Sequence, residues 1–161
     1  MQIIEYNDKY LEDVKDLLTE LEEYILSIDK DNLDRLHPEY HDKMAILDLE
    51  EVQNYQGKCY LAIEDDKAIG LIMGIIPEYD EYDYLDYSCP KRGEITELIV
   101  TQKVRSKGIG KVLIEKMEEY FIGEGCLYSF VDVFAYNSNA IEFYNKKGYH
   151  TRMHINLKKL K

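Results

Sequence analysis

The sequence predicts an α/β fold built as a single domain over residues 1–161, and three observations carry that expectation. Strand-like and helix-like hydrophobic patterns alternate along the chain without repeats or low-complexity linkers. The length suits one core, since a chain of this size buries about two thirds of its unfolded surface. A strand pattern at residues 94–101 also runs through a basic, glycine-bearing turn directly into an amphipathic helix.

The elements follow in order. Gln2 to Tyr6 reads as a short strand. Asp8 is expected to cap a helix whose apolar positions are Leu11, Val14, Leu17, Leu18, Leu21 and Ile25, the spacing of one buried face. After a polar stretch and His37-Pro38 a second helix is expected from Met44 to Tyr55. Tyr60–Ile63 and Ala68–Met73 are strands joined by a tight turn at Asp65-Asp66-Lys67. Pro77 to Arg92 is a polar loop expected to hold a strand extension and hairpin. Glu94 to Thr101 is the next strand, and Ile109, Val112, Leu113, Met117, Tyr120 and Phe121 mark the helix after it. Leu127 to Ala135 reads as a strand, Ser138 to Lys147 as a helix closed by Gly148, and Tyr149 to Leu157 as a final strand. The expected order is β-α-α-β-β-β-α-β-α-β.

Composition excludes several classes of function. A formal net charge of -12 opposes general nucleic-acid binding, which needs cationic surface. Three cysteines, Cys59, Cys89 and Cys126, form no CxxC spacing, which argues against a disulfide framework or zinc site and for a reducing cytoplasm. Met1 to Glu5 lacks the basic start of a signal peptide, and no run of 18 apolar residues marks a membrane span. His37 and His41 share i, i+4 spacing without a third ligand, so no metal is expected.

Against that acidic background, Lys103, Arg105, Lys107 and Lys111 place four cations within nine residues. Gly108 and Gly110 lie among them, where a missing Cβ lets a ligand approach the main chain. The first N–H groups of a helix lack intrahelical partners, and the macrodipole adds about half a positive charge there. The pattern reads as a site for a polyphosphate or pyrophosphate. It is neither a Walker loop, because Val112 follows Lys111, nor a dinucleotide fingerprint, because no glycine stands at residue 113.

Arg105, Gly108 and Gly110 instead match [RQ]-x-x-G-x-[GA], and the segment resembles the acyl-CoA signature of the GNAT N-acetyltransferase superfamily. Leu98 to Val100 looks like the hydrophobic strand end that precedes it. Most members have glycine after the arginine, where this chain has Ser106. Asn137, Ala140, Phe143, Tyr144, Gly148 and Tyr149 resemble a second block of the family, N-x-x-A-x-x-F-Y-x-x-x-G-F/Y. The resemblance covers residues 59 to 155 well. It implies a mixed central sheet flanked by helices, with two parallel strands, ending at Val100 and Ala135, splayed around the cofactor.

By that resemblance acetyl-CoA is the co-substrate. The backbone of Leu98, Ile99 and Val100 would pair with its pantetheine arm, Asn137 would bond the arm from the other strand, and Arg105, Ser106, Lys107, Gly108, Ile109, Gly110 and Lys111 would hold the diphosphate. Tyr144 would stand near the sulfur as general acid. Glu97, with Glu94 second, is the expected base, because a lysine-like amine is neutral in only about one molecule in a few thousand at pH 7. A regular strand sets Glu94 and Glu97 on opposite faces.

The acid-and-tyrosine run from Glu78 to Tyr87 suits attraction of a cationic amine, a solvated loop or a homodimer contact. The resemblance implies a cytoplasmic N-acetyltransferase acting by direct transfer to a primary amine, a small cationic one first. A protein N-terminus or lysine, or a non-catalytic acyl-CoA-sensing module, are the alternatives.

Overall fold

In a computed structural model describing residues 1–105 and 107–161, five strands lie side by side in sequence order. They are β1 (Gln2–Glu5), β2 (Lys58–Glu64), β3 (Lys67–Ile75), β4 (Arg92–Val100) and β5 (Tyr128–Val131). The helices are α1 (Leu11–Ile28), α2 (Tyr40–Asn54), the single turn α3 (Asp83–Asp86), α4 (Ile109–Gly123) and α5 (Ser138–Lys146). Neighbouring strands are antiparallel except β4 and β5, which are parallel and joined by the crossover helix α4. The sheet is therefore mixed and carries helices on both faces.

Alternation along the strands builds a core on each side. Leu71 and Met73 of β3 meet Val14, Leu17 and Leu18 of α1 and Leu49 and Val52 of α2. Ile72 points the other way, into a cluster with Leu113, Ile114 and Met117 of α4 and Tyr144 of α5. β2 and β3 turn at Asp65 and Asp66, both with positive φ (50° and 60°), a conformation aspartate tolerates and a two-residue hairpin requires. α4 lies close over the far end of the sheet: a Cβ on Gly93 would fall 2.3 Å from the Phe121 ring.

β4 carries a bulge. Met73 pairs with Glu97 while the next residue, Gly74, pairs with Ile95, leaving Thr96 as the extra residue. The inserted residue flips the alternation, with a consequence for the site described below.

Several expectations from the sequence are corrected. Asn7, not Asp8, caps the first helical turn by accepting the Lys9 N–H at 3.2 Å; the Asp8 carboxylate takes the Tyr6 hydroxyl. α2 begins at Tyr40, four residues before Met44. The 77–92 segment forms no hairpin, because Asp80 accepts the backbone N–H groups of Tyr82 and Asp83 and winds the chain into α3. β5 stops at Val131 rather than Ala135; the chain is already bending where the Asn137 N–H reaches the Phe134 carbonyl at 2.8 Å. The final strand at 149–157 does not form. A four-residue β5 offers a short template, and Met153, Ile155 and Leu157 stand exposed beyond Tyr149.

Candidate active site

β4 and β5 run together for only four paired positions, from Arg92 opposite Tyr128 to Ile95 opposite Val131. β4 then continues to Val100, still paired with β3 but without a strand on its other edge. The walls of the resulting slot are the end of β4 and the segment from Asp132 to Asn137. Hydrogen-bonding direction alternates along β4. Because the Thr101 N–H donates to Ile69 across the β3 edge (3.0 Å), Ile99 also turns its backbone groups toward β3. Leu98 and Val100 therefore present theirs to the slot. The Val100 carbonyl does so visibly, accepting the Arg105 Nε–H at 3.0 Å.

The turn after β4 delivers the chain to the start of α4. Gly108 caps that helix in the left-handed region (φ 79°), where a side chain would be strained by about 1–2 kcal/mol. The first intrahelical bond runs from the Val112 N–H to the Gly108 carbonyl, so the N–H groups of Ile109, Gly110 and Lys111 point out of the helix end. No side chain caps them among the described residues. The side chain of Ile109 is core, leaving only its amide for a ligand. Gly110 faces the Phe143 ring, which a Cβ there would meet at 3.7 Å. Lys107 is exposed, and Lys111 leans 3.8 Å from Glu115. The Ser106 contact lies outside the described residues.

Tyr144 is buried at the other wall, 7% exposed, with its ring against Phe143 (5.3 Å) and Tyr149 (5.4 Å). Burial, Tyr149 and Glu97 all raise its phenol above the usual range, so it holds its proton at neutral pH. Asn137 caps α5 by accepting the Ala140 N–H at 3.1 Å, the ordinary role of asparagine at a helix start.

The bulge decides where the two glutamates go. Glu94 pairs with Ile75 and Glu97 with Met73, and Ile75 and Met73 belong to the same core face. Both carboxylates thus lie on the α1–α2 side, contrary to the opposite faces expected of a regular strand. Their environments differ. Glu94 has the Arg92 guanidinium at 3.7 Å, itself stacked on the Tyr79 and Phe130 rings. Glu97 is pushed up to about 8 by burial first, then by the negative neighbours Asp48, Glu22 and Glu51. Asp48 is likewise raised to about 6, chiefly by burial, and its Oδ2 is enclosed without a hydrogen-bond partner among the described residues.

A residue that the sequence reading passed over joins the two walls. The Tyr24 hydroxyl, near the end of α1, donates to Asn137 Oδ1 at 3.3 Å, and its ring lies 5.4 Å beneath the Arg105 guanidinium.

A model of the GNAT acetyltransferase family matches residues 15–149. The chain belongs to the GNAT acetyltransferase family. Solved structures agree on the fold of this GNAT chain. A mutant of the BH1408 protein from Bacillus halodurans superposes with a TM-score of 0.79 at 20% identity, covering 99% of this chain and all of that one (100%). The aminoglycoside N-acetyltransferase AAC(6')-Iy in complex with CoA gives 0.69 at 16% identity, covering 99% of each chain. The same enzyme with the bisubstrate analogue CoA-S-monomethyl-acetylneamine gives 0.69 at 18%, covering 99% of this chain and 97% of that one. No curated protein matches by sequence. Among the described residues no helix is long and apolar enough to cross a membrane, and no group of three or more His, Cys, Asp or Glu side chains is arranged to hold a metal ion.

Proposed function

We propose that the whole chain, residues 1–161, works as one acetyl-CoA-dependent N-acetyltransferase domain that acts in the cytosol on a small cationic amine. The observation that carries this reading is the parting of β4 from β5 after Ile95, beside an α4 terminus whose amides lack protein partners among the described residues. These groups fit a diphosphate followed by an amide chain. The amides of residues 109–111, with Arg105, Ser106 and Lys107, would hold the former. Leu98 and Val100, more than Ile99, together with Asn137 would pair with the latter. Acetyl-CoA supplies an acetyl thioester at the inner end of this slot.

Glu97 takes a proton from the bound ammonium and passes it to solvent, leaving a neutral amine. The amine nitrogen forms the new C–N bond as the C–S bond breaks, and Tyr144 gives its phenolic proton to the departing sulfur. The proton shed by the new amide nitrogen restores Tyr144, so the balance closes with one proton released per ammonium consumed. Glu97 suits the base role better than Glu94, whose charge is already opposed by Arg92.

The preference for a cationic acceptor is supported by Glu22, Asp48, Glu51 and Glu97. The charges of Asp48, Glu22 and Glu51 on α1 and α2 each act on Glu97 of β4, and none of the four makes an ion pair among the described residues. A bound ammonium relieves that repulsion. The AAC(6')-Iy complex with an aminoglycoside-derived analogue is consistent with such an acceptor. Three free cysteines suit a cytosolic setting. The test is thiol release from acetyl-CoA across polyamines, aminoglycosides, amino acids and peptides. Release that depends on a small cationic amine is expected. Release with peptides alone would turn the reading toward a protein acceptor, and cofactor binding without release would mark a sensing module.

A further inference from the structure

The slot has two walls and no strand pairing between them beyond Ile95, so something else must set their spacing. α1 lies across the mouth. Glu20 pins it to the β4 side by accepting the Thr101 hydroxyl at 2.8 Å and the Gln102 N–H at 2.7 Å. One turn further on, Tyr24 touches both walls at once. On one side its ring underlies Arg105. On the other its hydroxyl donates to Asn137 Oδ1 and accepts from Asn139 Nδ2 at 3.5 Å.

The polar logic at Asn137 is closed. The Ala140 N–H can only donate, so the atom facing it is the amide oxygen, and that fixes the orientation of the side chain. Oδ1 then receives two donors, Ala140 N–H and Tyr24 O–H, which leaves the Nδ2 group as the one available to a ligand. On the opposite wall the Arg105 guanidinium is held twice, by Nε on the Val100 carbonyl and by its face on the Tyr24 ring, leaving its terminal N–H groups for an anion.

We propose that Tyr24 is a positioning residue for the acyl-CoA slot, a clasp that presets Arg105 toward the diphosphate and Asn137 toward the pantetheine arm. It rests on the acetyl-CoA reading above. Preorganisation of this kind acts on affinity, because side chains already held in place lose less freedom on binding.

The experiment is a double-mutant cycle on the full chain, reading CoA affinity by calorimetry together with KM and kcat for acetyl-CoA. Tyr24→Phe removes the hydroxyl and keeps the ring; the Kd for CoA rises about fivefold, the worth of one neutral hydrogen bond. Tyr24→Leu removes both and raises it by about tenfold or more. The change falls on KM rather than kcat, and Tyr24→Leu combined with Arg105→Ala weakens binding by less than the product of the single effects. A fall in Tm with unchanged Kd and KM would make Tyr24 structural only and overturn the proposal, as would full additivity with Arg105→Ala. If Tyr24→Leu does not fold, Tyr24→Phe alone decides: an unchanged Kd overturns the clasp. Wild-type protein that binds no CoA overturns the parent reading as well, which separates the two failures.

Discussion

Partial burial and like-charged neighbours push the Glu97 carboxyl up to about 8, and this shift predicts two measurable behaviours. As a base it must be ionised, so kcat/KM for the acceptor carries a limb rising through about pH 8 that Glu97→Gln lacks, and the variant is slower by about 100-fold or more. The second behaviour concerns stability. An acid raised from 4.5 to about 8 on folding binds more protons in the folded state, so stability declines as pH rises through that window. Glu97→Gln is therefore expected to raise Tm at pH 8.5 and to bring little gain at pH 4.5; equal shifts at both values would remove the account of Glu97. Tyr144 makes a separate prediction. Tyr144→Phe keeps the buried ring and loses the acidic proton, so thiol release falls by about 100-fold while CoA still raises Tm. Unaltered release would leave Tyr144 as a packing residue.

At the scale of elements, the contact between α4 and the sheet sets the angle at which the helix N-terminus meets the slot. Phe121 lies directly on Gly93, so Gly93→Ala forces ring or backbone to move and costs about 1–3 kcal/mol. Calorimetry should show Tm lower by several degrees, and an unchanged Tm would mean that the helix is not held there. The same scale explains what the sequence revealed and what it hid. The turn from Lys103 to Lys111 was legible because its glycines, cations and helix start are adjacent in the chain. The common face of Glu94 and Glu97 was not, because a bulge at Thr96 belongs to the pairing of β3 with β4 and leaves no mark in the composition of either strand. The strand expected at 149–157 alternates well enough, yet pairing needs a partner, and β5 ends after four residues. Tyr24 was hidden for a related reason. It is one of 15 tyrosines, and its partner Asn137 lies 113 residues away.

Across the whole molecule, charge is divided by place. A chain of net charge -12 places Arg105, Lys107 and Lys111 at the slot's outer end and, at its inner, α1–α2 side, carboxylates that make no ion pair among the described residues. An anionic cofactor and a cationic acceptor would thus be drawn to different ends of one cleft, and the reacting groups would meet where β4 leaves β5. The fold was readable from the alternation of elements and the splayed strands from the family resemblance; the structure adds that pairing of β4 with β5 ends at Ile95, leaving the rest of that β4 edge open. Calorimetric titration of the full chain with CoA, and in parallel with pantetheine, which lacks the diphosphate, tests this most directly. Saturable heat with CoA is predicted, with pantetheine weaker by about tenfold or more. No saturable heat with CoA, or equal affinity for the two ligands, would contradict it.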